Sequence, residues 1–136
     1  MEEHWTLSDL EFETQFTNGV FNPLWFSHEA HLRFAWIYIH RYGSQKAFEM
    51  YRSQLFAFAV KHLAKNKFNL TVTHASIKVL GGFMEKSGAN NFTDFIQEFP
   101  ELKTNFKELL SAHYSINIFS DSVAKQQILQ PDLVPF

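Results

Sequence analysis

Residues that start and stop helices recur along this chain at roughly helix-length intervals, and between them the apolar residues keep a helical period. This punctuation constrains the fold more than any other feature. Thr6 or Ser8 is placed to cap a first helix from about Ser8, which Asn18-Gly19 ends. Asn22-Pro23 makes Phe21 to Phe26 a loop. Ser27 caps a second helix that runs to Gly43, and Ser44 opens a third that reaches about Ala64. Lys65 to Lys67 suit that helix's C-terminal dipole. A fourth spans about Leu70 to Lys86, and its β-branched start, Thr71-Val72-Thr73, permits a short extended entry. Asn91 caps a short fifth through Phe99, Pro100 opens a sixth to about His113, and Ser120 caps a seventh to about Leu129. No segment shows strand alternation. The reading is an all-α chain, an irregular helical bundle of about five to seven helices. It forms a single helical domain over residues 1–136, with an extended tail at 130–136 that holds Pro131 and Pro135.

Composition narrows the function classes. The chain has 136 residues, enough to bury a core without staples. It has no cysteine, so disulfides and thiolate metal sites are excluded and a cytoplasmic location is expected. The start, Met1-Glu2-Glu3-His4, lacks the basic and apolar pattern of a signal peptide. Apolar runs are broken by Arg33, His40, Arg52 and Lys61, too soon for a membrane helix. Net charge is −2, and the basic end at Lys61, Lys65 and Lys67 is small. Neither a nucleic-acid nor a membrane partner is expected. The acidic residues Glu2, Glu3, Asp9, Glu11 and Glu13 read as a solvated face, and His4 as part of a mobile end. The 16 Phe, 4 Tyr and 3 Trp imply an aromatic core or an aromatic pocket.

The polar residues that fall on apolar stripes are the candidates for function. At about 100° per residue, His28, His31, Leu32, Ala35, Ile39 and Tyr42 share one side of the second helix, with Glu29, Arg33, His40 and Arg41 opposite. Tyr51 and His62 lie on the stripe of the third helix, Asn69 and Thr73 on that of the fourth, and His113 on that of the sixth. Histidines three residues apart can aim both rings at one point, and a helix N-terminus favours neutral imidazole. Neutral imidazole suits a divalent transition metal, so His28 and His31 are candidate metal ligands. Two ligands are too few for a firm site. The third would come from Asn69, His62, His74, His113 or Glu29, although Glu29 points away by the helical count. The plain alternative is structural. Core histidines make hydrogen bonds, His62 and His113 can cap helix carbonyls, and Asn69 and Thr73 can cap the fourth helix. His28-Glu29-Ala30-His31 is one residue short of the zincin spacing, and Gly81-Gly82 lacks that of a phosphate loop.

Phe26-Ser27-His28-Glu29-Ala30-His31-Leu32-Arg33-Phe34-Ala35-Trp36 resembles the hallmark F-x-H-x-x-H-L-x-x-A-W of a family of small bacterial all-helical proteins of uncharacterised activity. The end of the chain is similar as well, in Tyr114-Ser115, Phe119-Ser120, Ala124 and Pro131-Asp132-Leu133-Val134-Pro135. Lys67-Phe68-Asn69-Leu70-Thr71-Val72-Thr73 resembles a family segment K-Y-H-x-T-x-T, with Asn69 in place of the histidine. The resemblance implies that His28, His31 and position 69 belong together. The departure at Asn69 counts against a metal, since asparagine is a poor transition-metal ligand.

The expected function is therefore binding of a small ligand in an aromatic pocket lined by His28, His31, Asn69, Thr73, Tyr51, His113 and Tyr114, with a divalent metal as a variant. Any catalysis would be acid–base work by His28 or His31, with Tyr51 or Tyr114 as donors, and whether the protein is an enzyme stays open. The rival expectation is a non-enzymatic interaction module or homodimer. It rests on Phe34, Ile37, Val79 and Phe83, which lie off the main stripes and would need cover.

Overall fold

Five of the eight helices of the computed structural model, which describes all residues 1–136, begin at a side chain that accepts a bond from their free N–H groups. The chain contains eight α-helices, three 3-10 turns and no strand. The helices are α1 (Asp9–Thr17), α2 (His28–Tyr42), α3 (Ser44–Lys61), α4 (Leu70–Glu85), α5 (Phe92–Glu98), α6 (Glu101–Thr104), α7 (Phe106–Ser111) and α8 (Ser122–Gln126). The 3-10 turns cover Glu3–Thr6, Pro23–Trp25 and Lys65–Lys67. No helix is long and apolar enough to cross a membrane. The expected all-α class holds, and the expected helix count is close.

The caps explain the boundaries. Ser8 forms a reciprocal capping box with Glu11: Glu11 N–H donates to Ser8 Oγ at 3.1 Å, and Ser8 N–H to Glu11 Oε1 at 2.9 Å. Ser27 Oγ accepts from Ala30 N at 3.1 Å. Asn69 and Asn91 cap α4 and α5 through Val72 N and Asp94 N. Asp121, not Ser120, caps α8, taking two N–H groups at 2.9 Å. Ser44 is the first residue of α3 and makes no cap bond; Gly43 stands before it at φ 80°. That left-handed value ends α2 and turns the chain within one residue, which glycine does without a Cβ penalty. The expected helix from Pro100 to His113 is broken at Asn105, whose φ of −132° and ψ of 27° leave the helical region. Asparagine competes with the helix by bonding locally, so this break falls at a weak residue.

The chain gathers into two compact units, Met1–Phe68 and Asn69–Phe136. In the first, α2 lies against α1 and α3. Its core is a run of rings: Phe16 stacks on Phe34 at 4.0 Å, and Phe12 and Phe16 each meet Phe21 at 4.6 Å. Such pairs contribute about 0.5–1.5 kcal/mol each beyond the area they bury. Ten of the fifteen α2 residues are buried, including Glu29, Arg33, Phe34 and Ile37. In the second unit, Ala75 and Val79 of α4 pack with Leu110, Tyr114, Ile118 and Ala124, and Phe83 packs against that cluster.

Two expectations are corrected here. Phe34 and Ile37 are not an uncovered face: both are fully enclosed, as Val79 nearly is, and Phe83 is half-buried. The stripe count treated α2 as one-sided, whereas the segment Leu32 to Ile39 is apolar apart from Arg33 and is covered on all sides.

Candidate functional site

The N-terminal turn of α2 organises two adjoining groups of side chains in the first unit. The first was not expected. His4 is fully buried rather than mobile, and Glu29 and Arg33 point inward rather than away. Glu29 Oε1 lies 2.7 Å from His4 Nε2 and accepts from Trp5 Nε1 at 2.6 Å. Arg33 uses all five of its N–H donors. Nε and one Nη2 hydrogen reach Asp9 Oδ1 at 3.2 and 3.0 Å, and the other Nη2 hydrogen reaches Leu7 O at 2.7 Å. Nη1 reaches His4 O at 2.6 Å and His4 Nδ1 at 3.3 Å. The guanidinium also lies 5.2 Å from the Trp5 ring centre and 5.1 Å from that of Phe12.

These contacts fix the His4 tautomer. Guanidinium hydrogens face Nδ1, so Nδ1 accepts and Nε2 carries the proton toward Glu29. Burial lowers the His4 pKa, the bond to Glu29 opposes that, and the Arg33 charge adds to it. The ring is neutral, as a buried imidazole between a cation and a carboxylate should be.

Glu2, His4 and Glu29 bring donor atoms within 4.8 Å of one another, a spacing at which a metal ion could sit. The donor set does not fit a metal as it stands. His4 Nε2 holds a proton for Glu29, and its other lone pair already receives Arg33. The cluster acts instead as a clasp that pins the 3-10 turn at Glu3–Thr6 to the start of α2. The acidic N-terminal stretch is likewise no simple solvated face. Glu2 accepts from Ser27, Asp9 from Arg33, and Glu13 from Arg41 at 3.0 Å and Tyr42 at 2.7 Å.

The second group holds the expected histidine. His31 is half-buried, and its ring stacks on Phe26 at 3.7 Å with 21° between planes. Phe26 meets Phe58 at 5.0 Å, and Phe58 meets His62 at 4.4 Å. Burial, and secondarily the nearby His28, push the His31 pKa down to about 4, so the ring is neutral at pH 7. The imidazole stacks on Phe26, and neither ring nitrogen takes part in a hydrogen bond within the chain. Tyr51 is buried below it and donates to the His31 carbonyl at 3.4 Å; burial raises the phenol's pKa, so it stays a donor. His28 is exposed, which corrects the expectation that both histidines point inward. It occupies the first turn of α2, where Glu29 and Arg33 take the buried direction instead.

The remaining expected residues belong to the second unit, and their polar atoms are engaged there. Asn69 Oδ1 caps α4, and Nδ2 donates to Ile118 O at 2.7 Å. Thr73 Oγ1 donates to Asn69 O at 2.7 Å. Tyr114 Oη donates to Leu129 O at 2.9 Å. His113 Nδ1 donates to Val134 O at 2.7 Å, and its backbone carbonyl accepts from Leu133 N at 3.1 Å. With Asp132 accepting from Ser115, these bonds hold the tail to its unit. These four residues thus act as cap, helix brace and tail anchors within unit two.

No protein-family model matches this chain, and no match was found among the curated proteins or the solved structures.

Proposed function

We propose that the protein binds a small planar ligand at the His31 face of its first unit. The observation that carries this reading is the half-buried, neutral imidazole whose ring nitrogens bond no other protein group. Ring nitrogens that no protein group takes are open to the polar edge of a ligand stacked beside them. His31 offers one donor and one acceptor at neutral pH. Phe26 backs the ring, Phe58 continues the aromatic wall, and exposed His28 stands at the rim. The combination suits a flat heteroaromatic molecule that presents both a donor and an acceptor at its edge. A metal variant of the reading would use His28 and His31 as nitrogen ligands.

A melting-shift screen of heteroaromatic metabolites at neutral pH tests the proposal. Hits on the wild type should weaken about tenfold in His31→Phe, which keeps the stack and removes the hydrogen bonds. A panel without hits, or hits that His31→Phe leaves unchanged, overturns it. Elemental analysis of untagged protein tests the metal variant: less than about a tenth of an equivalent per chain ends it.

A further inference from the structure

The apolar side chains that do stand in solvent are elsewhere in the first unit. Phe56, Val60 and Leu63 are 42%, 46% and 93% exposed. Their spacing puts them on one stripe along the outer side of α3 and the turn that follows it. The inner side of the same stretch is committed to the core, where Phe58 meets Phe16 and Phe26. Leu63 has φ 56°, the one non-glycine residue in the left-handed region. Backbone strain is spent there on a leucine that touches almost nothing. Lys61 Nζ donates to Gly19 O and so ties this helix end to the loop that carries Val20 and Leu24, 65% and 91% exposed.

Charge around the stripe is of one sign. Lys61, Lys65 and Lys67 are exposed, and Lys65 Nζ lies 5.8 Å from the Phe56 ring centre. No Asp or Glu occurs between Glu49 and Glu85, although the whole chain is net acidic. Protruding apolar side chains within a lysine rim match an anionic surface with an apolar layer beneath it.

We propose that this end of the first unit docks on the surface of an anionic lipid bilayer. Leu63, Val60 and Phe56 enter the boundary between headgroups and acyl chains, while Lys65 and Lys67 reach back to the headgroups. A protein partner fits less well. Protein interfaces are depleted in lysine and anchored by Trp, Tyr or Arg in pockets, and this surface has lysines around protruding Leu63, Val60 and Phe56. The contact is superficial, unlike the spanning helix that the sequence excludes, and it revises the expectation of no membrane partner.

Each lysine near an anionic bilayer adds about fivefold to affinity. Sedimentation of the full chain with phosphatidylcholine vesicles, alone or with about 30% phosphatidylserine, tests the proposal. Binding should be at least about tenfold stronger with phosphatidylserine and should fall away in about 0.5 M NaCl. Leu63→Ser should lower binding about tenfold, and separately Lys65→Glu with Lys67→Glu at least about 25-fold, while the helical circular dichroism is unchanged. Equal binding to both vesicle types, or variants that bind like the wild type, overturns the proposal. So does a wild type that ignores vesicles and forms a dimer that Leu63→Ser dissolves, since the stripe is then a protein interface.

Discussion

Replacing His31 with glutamine should remove a block of acid sensitivity from the protein. In the folded chain the imidazole titrates at about 4, against 6.5 when free in solvent, with burial as the main cause. The unfolded chain therefore takes up this proton first as pH falls. Stability from keeping the ring neutral is fully present above pH 6.5 and is lost progressively between 6.5 and about 4, where the loss levels off. The whole shift corresponds to about 3 kcal/mol, of which about 2.5 kcal/mol is gone by about pH 4.5. His4 and His74 are also held below their ordinary values by burial, and they act in the same direction. They remain in the variant, so their effect cancels in the comparison. Urea unfolding followed by circular dichroism at about pH 7 and about pH 4.5 gives the four free energies needed. Wild type should lose about 2.5 kcal/mol more than His31→Gln between the two pH values. Equal losses would mean that the imidazole titrates like a solvated one, and the half-buried, neutral ring of the ligand site would be refuted with it.

Two further substitutions probe the clasp and the α4 cap. Glu29→Gln keeps an acceptor for His4 and Trp5 and should cost about 1 kcal/mol, whereas Glu29→Leu strands both donors and should cost about 2–4 kcal/mol; equal costs in urea unfolding would show that the carboxylate's charge, not its acceptor role, holds the clasp. Asn69→Ala loses both the cap on Val72 N and the bond to Ile118 O, and should destabilise by about 1–3 kcal/mol in the same assay; a loss within about 0.5 kcal/mol would argue against its structural role.

What could be read from the sequence was what depends on near neighbours. Ser8, Ser27, Asn69 and Asn91 cap the helices that follow them, because a cap bonds a backbone group two or three residues away. The half-buried placing of His31 was legible from the helical period, which sets which residues share a side of α2. His28 was misplaced, because the stripe count assumed that α2 has one solvent face. The run from Leu32 to Ile39, with Arg33 its single charge, carried the contrary signal: a helix apolar on every side is enclosed on every side. An arginine within such a run must then find partners, and Arg33 does. The identity of those partners was out of reach. His4 and Glu29 are 25 positions apart, and nothing local marks either for the other. Thr73 reads as a polar group on an apolar face and Tyr114 as a possible donor, and the structure gives each a bond to a carbonyl of its own unit.

The single-glycine link between α2 and α3 makes the relative phase of these two helices a matter of one peptide unit. Ala47, Phe48 and Tyr51 reach the core only because α3 starts immediately after Gly43. One inserted residue would turn all of α3 by about 100°, carrying those three side chains away from the interior. Length variation at this position is therefore closed to the protein, and changes in chain length must be accommodated in looser connections such as Ser87 to Asn91.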